Sequence, residues 1–127
     1  MRRHGILNAA LAAAVARLGH RDRVVVADCG LPVPRGVPVV DLALVFGVPR
    51  FEQVLDALLA EIVVEGCVVA EEARGGPAEG WVTGRVPAAT YVPHEQFKRA
   101  VADVAFVVRT GETTPYANVV LVCGVPF

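Results

Sequence analysis

The stretch Arg23–Pro34, RVVVADCGLPVP, changes character halfway along. Its first half, Arg23–Ala27, is a short and continuous apolar run, the form expected of a strand covered on both faces. Asp28 ends that run. Pro32, Pro34 and Pro38, with Gly30 and Gly36, then make the segment from Cys29 to Pro38 a stiff loop. A strand buried on both faces needs covering layers above and below it, so the flanking sequence must supply helices.

Upstream, Asn8 is placed to cap a helix that runs to Leu18, with Gly19 as the left-handed residue that stops it. Downstream, Val39-Val40-Asp41 reads as a second strand. After Gly47-Val48-Pro49, the apolar residues Phe51, Val54, Leu55, Leu58, Leu59 and Ile62 follow helical spacing. Cys67–Ala70 is a third apolar strand, and Glu71–Pro87 is rich in Gly around Trp81 and reads as a loop. Thr90–Val92 reads as a strand, His94–Ala102 as a helix, and Ala105–Arg109 and Val119–Val122 as two more buried strands. Helices alternating with apolar strands predict one domain over residues 1–127, a three-layer α/β/α arrangement on a mixed, largely parallel sheet. No internal repeat or linker interrupts it.

Composition narrows the partners. Hydrophobic residues make up 54% of the 127, above the roughly 45–50% typical of soluble domains, and the mean hydropathy is +0.51. A small domain has too little interior to bury so much apolar surface, which predicts an oligomer. Twelve Lys and Arg against thirteen Asp and Glu leave a net charge of -1, an argument against nucleic acid or an anionic membrane as the main partner. The longest uncharged stretch, Thr113–Phe127, is broken by Pro115, Gly124 and Pro126 and falls short of the roughly 18–20 residues that span a bilayer. Met1-Arg2-Arg3 and the alanines to Ala16 imitate a signal peptide. Asn8 inside the would-be apolar segment, and a helical pattern continuing through Arg17 and Leu18, oppose that reading. Cys29, Cys67 and Cys123 are odd in number and widely spaced, so they are expected to be buried thiols in a cytoplasmic protein.

Several kinds of chemistry lack their signature. There is no G-x-G-x-x-G, no Walker loop and no G-x-S-x-G elbow, and His94-Glu95 has no second His at the zincin spacing. The remaining polar residues sit where apolar strands end. His20 follows the helix stop, where its plain reading is a cation beside a helix C-terminus. Asp28 ends the first strand, the position at which open α/β sheets bind ligands and also one at which a carboxylate caps a turn. Asp41 interrupts an apolar run and reads as structural, either a satisfied buried carboxylate or a loop cap. His94 opens a helix, an electropositive position that favours a neutral imidazole, and a surface cap is the plain alternative. Tyr116-Ala117-Asn118 follow the polar loop Thr110–Pro115; Tyr and Asn there can bond sugar hydroxyls, although a turn also needs the Gly, Pro and Asn. Glu71-Glu72 reads as a strand terminus in water.

Taken together, Arg17-Leu18-Gly19-His20, Asp28–Pro34, Gly47-Val48-Pro49, Ala70-Glu71-Glu72, His94-Glu95-Gln96-Phe97-Lys98, Arg109–Glu112 and Pro115–Asn118 resemble the D-ribose pyranase (ribose mutarotase) family along the whole chain and in order. The sister fucose mutarotases share a Gly-His near the start and a Tyr-x-Asn near the end. The Gly-Leu-Pro-Val-Pro after Asp28 and the His-Glu-Gln-Phe-Lys are similar to the ribose branch. The resemblance implies the ribose/fucose mutarotase fold and a cofactor-free isomerase that interconverts the β-pyranose and β-furanose forms of D-ribose in a ring of ten chains. It places the proton donor on His20 and sugar binding on Asp28, His94 and Tyr116–Asn118, with Lys98 a weaker member. The short, Gly-rich Glu71–Pro87 departs from the longer and partly helical segment of many members. A sugar-binding module without turnover, a mutarotase for another aldose such as fucose, and an oligomeric scaffold are the competing readings.

The chemistry is consistent with those residues. Pyranose and furanose differ in whether O5 or O4 closes on C1, so exchange passes through the open aldehyde. Opening removes a proton from the O1 hydroxyl and delivers one to O5, work that an imidazole does near neutral pH without a metal. No metal-ligand spacing is present among the three histidines and three cysteines. One geometric difficulty follows. His20 precedes the strand Arg23–Ala27 and Asp28 follows it, a separation of roughly 17 Å at about 3.3 Å per residue. Either the chain bends sharply near Asp22, or residues of two chains meet in one pocket; the apolar surplus favours the second.

Overall fold

In the computed structural model, which describes residues 1–127, Arg23–Ala27 forms strand β1 and its last four residues are buried. The other strands are β2 (Val39–Asp41), β3 (Val64–Ala70), β4 (Ala89–Val92), β5 (Phe106–Arg109) and β6 (Val119–Cys123). They form one sheet in the order β2-β5-β1-β6-β3-β4. β1 pairs in parallel with β5, Val25 opposite Val107, and β5 pairs in parallel with the edge strand β2. β6 runs antiparallel to both of its neighbours, β1 and β3, and β3 pairs in parallel with β4. Five strands therefore point one way and β6 alone points the other.

Four helices cover the sheet: α1 (Ala9–Ala16), α2 (Phe51–Leu59), α3 (Pro77–Thr83) and α4 (His94–Ala100). Successive side chains of a strand face opposite sides, and β1 divides accordingly. Val24 and Val26 pack with Leu11 of α1, Phe51, Leu55 and Leu58 of α2, and Val82 of α3. Val25 and Ala27 face Phe97 of α4 and Leu31 of the proline-rich loop. Phe51, Leu55 and Leu58 are wholly buried, each contributing about 1.5–3 kcal/mol by area removed from water. The layers are unequal, with three helices on one face and α4 with the loop on the other.

Local signals explain most boundaries. The Asn8 side chain accepts from the Leu11 N–H at 2.9 Å and starts α1, and Gln53 reaches back to the Arg50 N–H at 2.9 Å ahead of α2. Gly19 is not the left-handed residue after α1; that conformation falls on Arg21, at φ 69°. The turn between them is closed by the Asp22 carboxylate accepting from the Gly19 N–H at 2.7 Å, which leaves Gly19 no special backbone demand. The Glu71–Pro87 segment is also not simply a loop. It contains a 3₁₀ turn at Glu71–Ala73 and the helix α3. Pro77 occupies the first turn of α3, where no N–H bond is lost. Ala78 and Val82, four residues apart, bury one side of it, and Trp81 stacks on Phe51 with ring centroids 6.1 Å apart.

Cys67 and Cys123 are buried as expected, but Cys29 is half-exposed. Burial pushes the Cys67 thiol up to about 11. Of the two readings of Asp41, the loop cap is the one observed: it is exposed, accepts from the Ala43 N–H at 3.0 Å and pairs with Arg109 at 3.1 Å. No helix is long and apolar enough to cross a membrane.

Candidate functional site

Strand direction gathers the polar residues. The parallel strands β1, β3, β4 and β5 end at one edge of the sheet, where the chain leaves them as Asp28, Glu71, Pro93-His94 and Thr110. Because β6 runs the other way, it begins at that edge, and Tyr116-Ala117-Asn118 arrive there just before it. The result is a cleft of about 350 Å³ lined by Asp28, Cys29, His94, Glu112, Tyr116 and Asn118 among others, the size of a small-molecule site.

Asp28 and Asn118 hold each other. The Asp28 N–H donates to Asn118 Oδ1 at 2.9 Å, and Asn118 Nδ2 donates to Asp28 Oδ2 at 3.0 Å. Asn118 is 2% exposed, so its amide orientation is set by this pair. Asp28 Oδ1 also accepts from the Gly30 N–H at 2.9 Å, which closes the first turn of the proline-rich loop. A carboxylate fixed in this way is an oriented acceptor at the cleft wall.

His94 is supported from two directions. Its backbone N–H donates to the Glu72 carboxylate, at 3.0 and 3.1 Å to the two oxygens, so negative charge sits against the start of α4. Its ring lies face to face with Phe97, and the Tyr116 ring meets it edge-on at 5.2 Å between centroids. The His94 Nδ1 atom is buried and has no hydrogen-bond partner. Tyr116 is held in the left-handed region at φ 60°, a conformation costly for a residue with a side chain.

Other expected residues stand apart from this cleft. The Ala117 side chain is wholly buried in the larger core cluster, so only its backbone can reach a ligand. Lys98 lies one turn along α4 from His94, where its Nζ pairs with Glu95 at 2.7 Å. His20 is at the opposite edge of the sheet. Its Nε2 lies 3.2 Å from Glu65 Oε2 near the start of β3, and it lines a separate cleft of about 370 Å³ with Val63, Cys123 and Phe127. The chain does not bend His20 back toward Asp28. The Arg21 N–H donates to the Cys123 carbonyl and the Cys123 N–H donates to the Asp22 carbonyl, both at 2.8 Å, which extends the β1·β6 pairing past Arg23.

Two carboxylates escape the sequence reading. Glu65 stands beside His20. Glu112 is 8% exposed and accepts from the Phe51 N–H at 3.1 Å, the Thr114 N–H at 3.3 Å and the Thr114 hydroxyl at 3.0 Å. Burial alone would raise its pKa, but the donors at Phe51, Thr114 and Thr113 outweigh it and hold the carboxyl below the usual glutamate range. Within a loop of threonines and glycine, no periodicity separates Glu112 from a solvated acid. No group of three His, Cys, Asp or Glu side chains converges as a metal site requires.

Comparison with known proteins follows the same lines. The model of the RbsD / FucU transport protein family matches residues 1–126. A protein named D-ribose pyranase from Cutibacterium acnes is 57% identical over 127 residues, covering all of both chains, and one of the same name from Corynebacterium glutamicum is 54% identical with full coverage of both. The structure of Bacillus subtilis RbsD complexed with D-ribose superimposes at a TM-score of 0.90, with 42% identity and complete coverage of both chains. The fucose mutarotase of Streptococcus pneumoniae, in complex with L-fucose, shares the fold at a TM-score of 0.81 and 22% identity, over 99% of this chain and 100% of that one.

Proposed function

The chain belongs to the RbsD / FucU transport protein family, and from that premise we infer that it is an enzyme interconverting the β-pyranose and β-furanose forms of D-ribose. The observation that carries the reading is the end-to-end match to relatives named D-ribose pyranase. The polar cleft at the strand ends supports it chemically, since a monosaccharide needs oriented hydrogen-bonding groups and a ring face. Asp28 orients or deprotonates a hydroxyl, His94 and Asn118 hold neighbouring hydroxyls, and the Tyr116 ring packs on sugar C–H bonds. The family resemblance adds Lys98 and the Ala117 backbone to the sugar-binding set, although neither residue lines this cleft. His20 exchanges the protons that open the ring at O1 and O5 and close it through O4, a contribution of roughly 10² to 10⁴ in rate. No metal or cofactor enters this scheme.

The working site is shared between chains. His20 and Asp28 lie at opposite edges of one sheet, separated by the length of β1, and the two clefts have no lining residue in common. Each half-site is flanked by exposed apolar side chains. Val63 and Phe127 are exposed beside His20, and Leu44, Val45 and Phe46 are exposed next to Cys29 and Gly111 at the other edge. Packing one flank on the other of a neighbour buries both and joins the half-sites. Such a contact is head-to-tail, so a closed ring satisfies every copy; ten chains is the number the family resemblance implies. The whole chain acts as one domain, and free thiols at Cys29, Cys67 and Cys123 suit the cytoplasm.

Saturation-transfer NMR on D-ribose tests the activity. Exchange between pyranose and furanose resonances should accelerate in proportion to protein concentration. Binding of ribose with unchanged exchange would make the protein a sugar-binding module, and neither effect would end the reading.

A further inference from the structure

Resting on the reading of this cleft as the sugar site, we propose that Glu112 is a positioning residue for it, a buried carboxylate that locks the loop carrying Tyr116 and Asn118 onto helix α2 and onto the end of β1. Glu112 touches no reacting atom in the scheme above, and its oxygens are occupied. Oε1 takes the Phe51 N–H, and Oε2 takes both the backbone N–H and the hydroxyl of Thr114. Its main chain is engaged as fully. The Glu112 N–H donates to Thr110 Oγ1 at 3.1 Å, that hydroxyl donates to the Ala27 carbonyl at 2.7 Å, and the Glu112 carbonyl accepts from the Cys29 N–H at 2.9 Å. One residue thus fastens both walls of the cleft, the Asp28–Leu31 wall and the Thr113–Asn118 wall, to a single anchor.

The anchor is α2. No side chain of Arg50, at its N-cap, bonds the first turn, and the acceptor for Phe51 N–H comes instead from Glu112, 61 residues away. A site loop that supplies the missing helix cap is registered to a helix whose Phe51, Leu55 and Leu58 are wholly buried and cannot shift. Gly111 enforces the same registration. A Cβ there would lie 2.6 Å from the Val45 carbonyl oxygen and from the Val48 nitrogen, so the loop is seated hard against the neighbouring hairpin. Two residues beyond Thr114, Tyr116 must keep its left-handed backbone to set its ring edge-on to His94. The Glu112–Thr114 bonds are the last fixed points before that strained residue.

The experiment uses the full chain labelled with 3-fluorotyrosine. Tyr91 and Tyr116 are the only tyrosines, so the fluorine spectrum has one resonance in the site and one internal reference on β4. In Glu112→Ala the Tyr116 resonance should move or broaden while Tyr91 stays. KM for ribose exchange should rise by about tenfold with kcat changed by less than about threefold, because loop placement affects sugar binding before proton transfer. Glu112→Gln, which keeps the shape and one acceptor, should restore part of both readouts. Thr114→Val, which removes only the hydroxyl donor, should shift Tyr116 in the same direction and judges the proposal if Glu112→Ala does not fold. A Tyr116 resonance unmoved in the folded variants, or an unchanged KM accompanied only by a lower Tm, overturns it. If the wild type shows no exchange, the functional reading fails and the fluorine spectrum alone decides the role of Glu112.

Discussion

A shared site makes a quantitative prediction about mixed assemblies. His20→Ala removes the proposed proton-transfer group from one edge of the sheet, and Asn118→Ala removes the partner of Asp28 at the other. Each variant alone should be inactive. The five residues of β1 keep the two edges about 17 Å apart at about 3.3 Å per residue, farther than one pentose reaches. In a head-to-tail assembly every site takes its His20 edge from one chain and its Asn118 edge from the next. After random mixing at equal amounts, a site is intact only when the His20 edge comes from the Asn118→Ala chain and the other edge from the His20→Ala chain, a probability of about one quarter whatever the ring size. Ribose exchange should therefore return to about 25% of the wild-type rate, and fall away symmetrically as either variant is put in excess. The assay is saturation-transfer NMR after mild dissociation and reassociation, with native mass spectrometry to prove that hybrids formed. Proven hybrids with no recovered exchange would mean that each chain carries its own site and that the two-edge argument is wrong.

Three further outcomes follow from particular contacts. Gly111→Ala should cost about 2 kcal/mol or more in denaturant unfolding, since the new Cβ meets backbone atoms of Val45 and Val48 that cannot move aside as a side chain would. Glu112 should steepen acid unfolding. Its folded pKa is depressed, burial being outweighed by the donors at Phe51, Thr114 and Thr113, so its contribution is complete above the ordinary glutamate value of about 4.3 and is lost as pH falls through the lower folded value. Glu112→Gln should flatten that limb of a Tm-against-pH curve, and an unchanged limb would remove Glu112 from the account. Chelator treatment should leave ribose exchange intact, because no three candidate ligands converge; loss of exchange with recovery on adding zinc would contradict the acid–base scheme.

The sheet was legible because its central strands are buried on both faces and so read as unbroken apolar runs: β1, β5 and β6 are RVVVA, FVVR and VVLVC. Where local chemistry competes with composition, legibility fails. The α3 helix, PAEGWVT, has only seven residues and a glycine within it, too short for a periodic signal, and it is stabilised by tertiary contacts of Ala78, Trp81 and Val82. Local pattern points to Gly19 as the stop after α1, because glycine adopts the left-handed region freely. The left-handed residue is Arg21 instead, held by pairing of its N–H with Cys123, a contact between residues about a hundred positions apart that no local pattern reports.

The site divides along the same boundary. Asp28, His94, Tyr116 and Asn118 could be read as a group because each lies where a strand or helix begins or ends, and strand direction brings those positions to one edge. Glu112 could not, since its role arises from an N–H of a distant helix, and Glu65 could not, since it is a strand residue that matters only through His20 across the sheet. The separation of His20 from Asp28, however, was present in the sequence as the plain length of an uninterrupted strand. Pairing of Arg21 and Asp22 with Cys123 removes the bend that would have shortened it. A strand cannot have both ends at one place, so a reaction that needs both ends needs a second strand, which the proposed shared site takes from another copy of the chain.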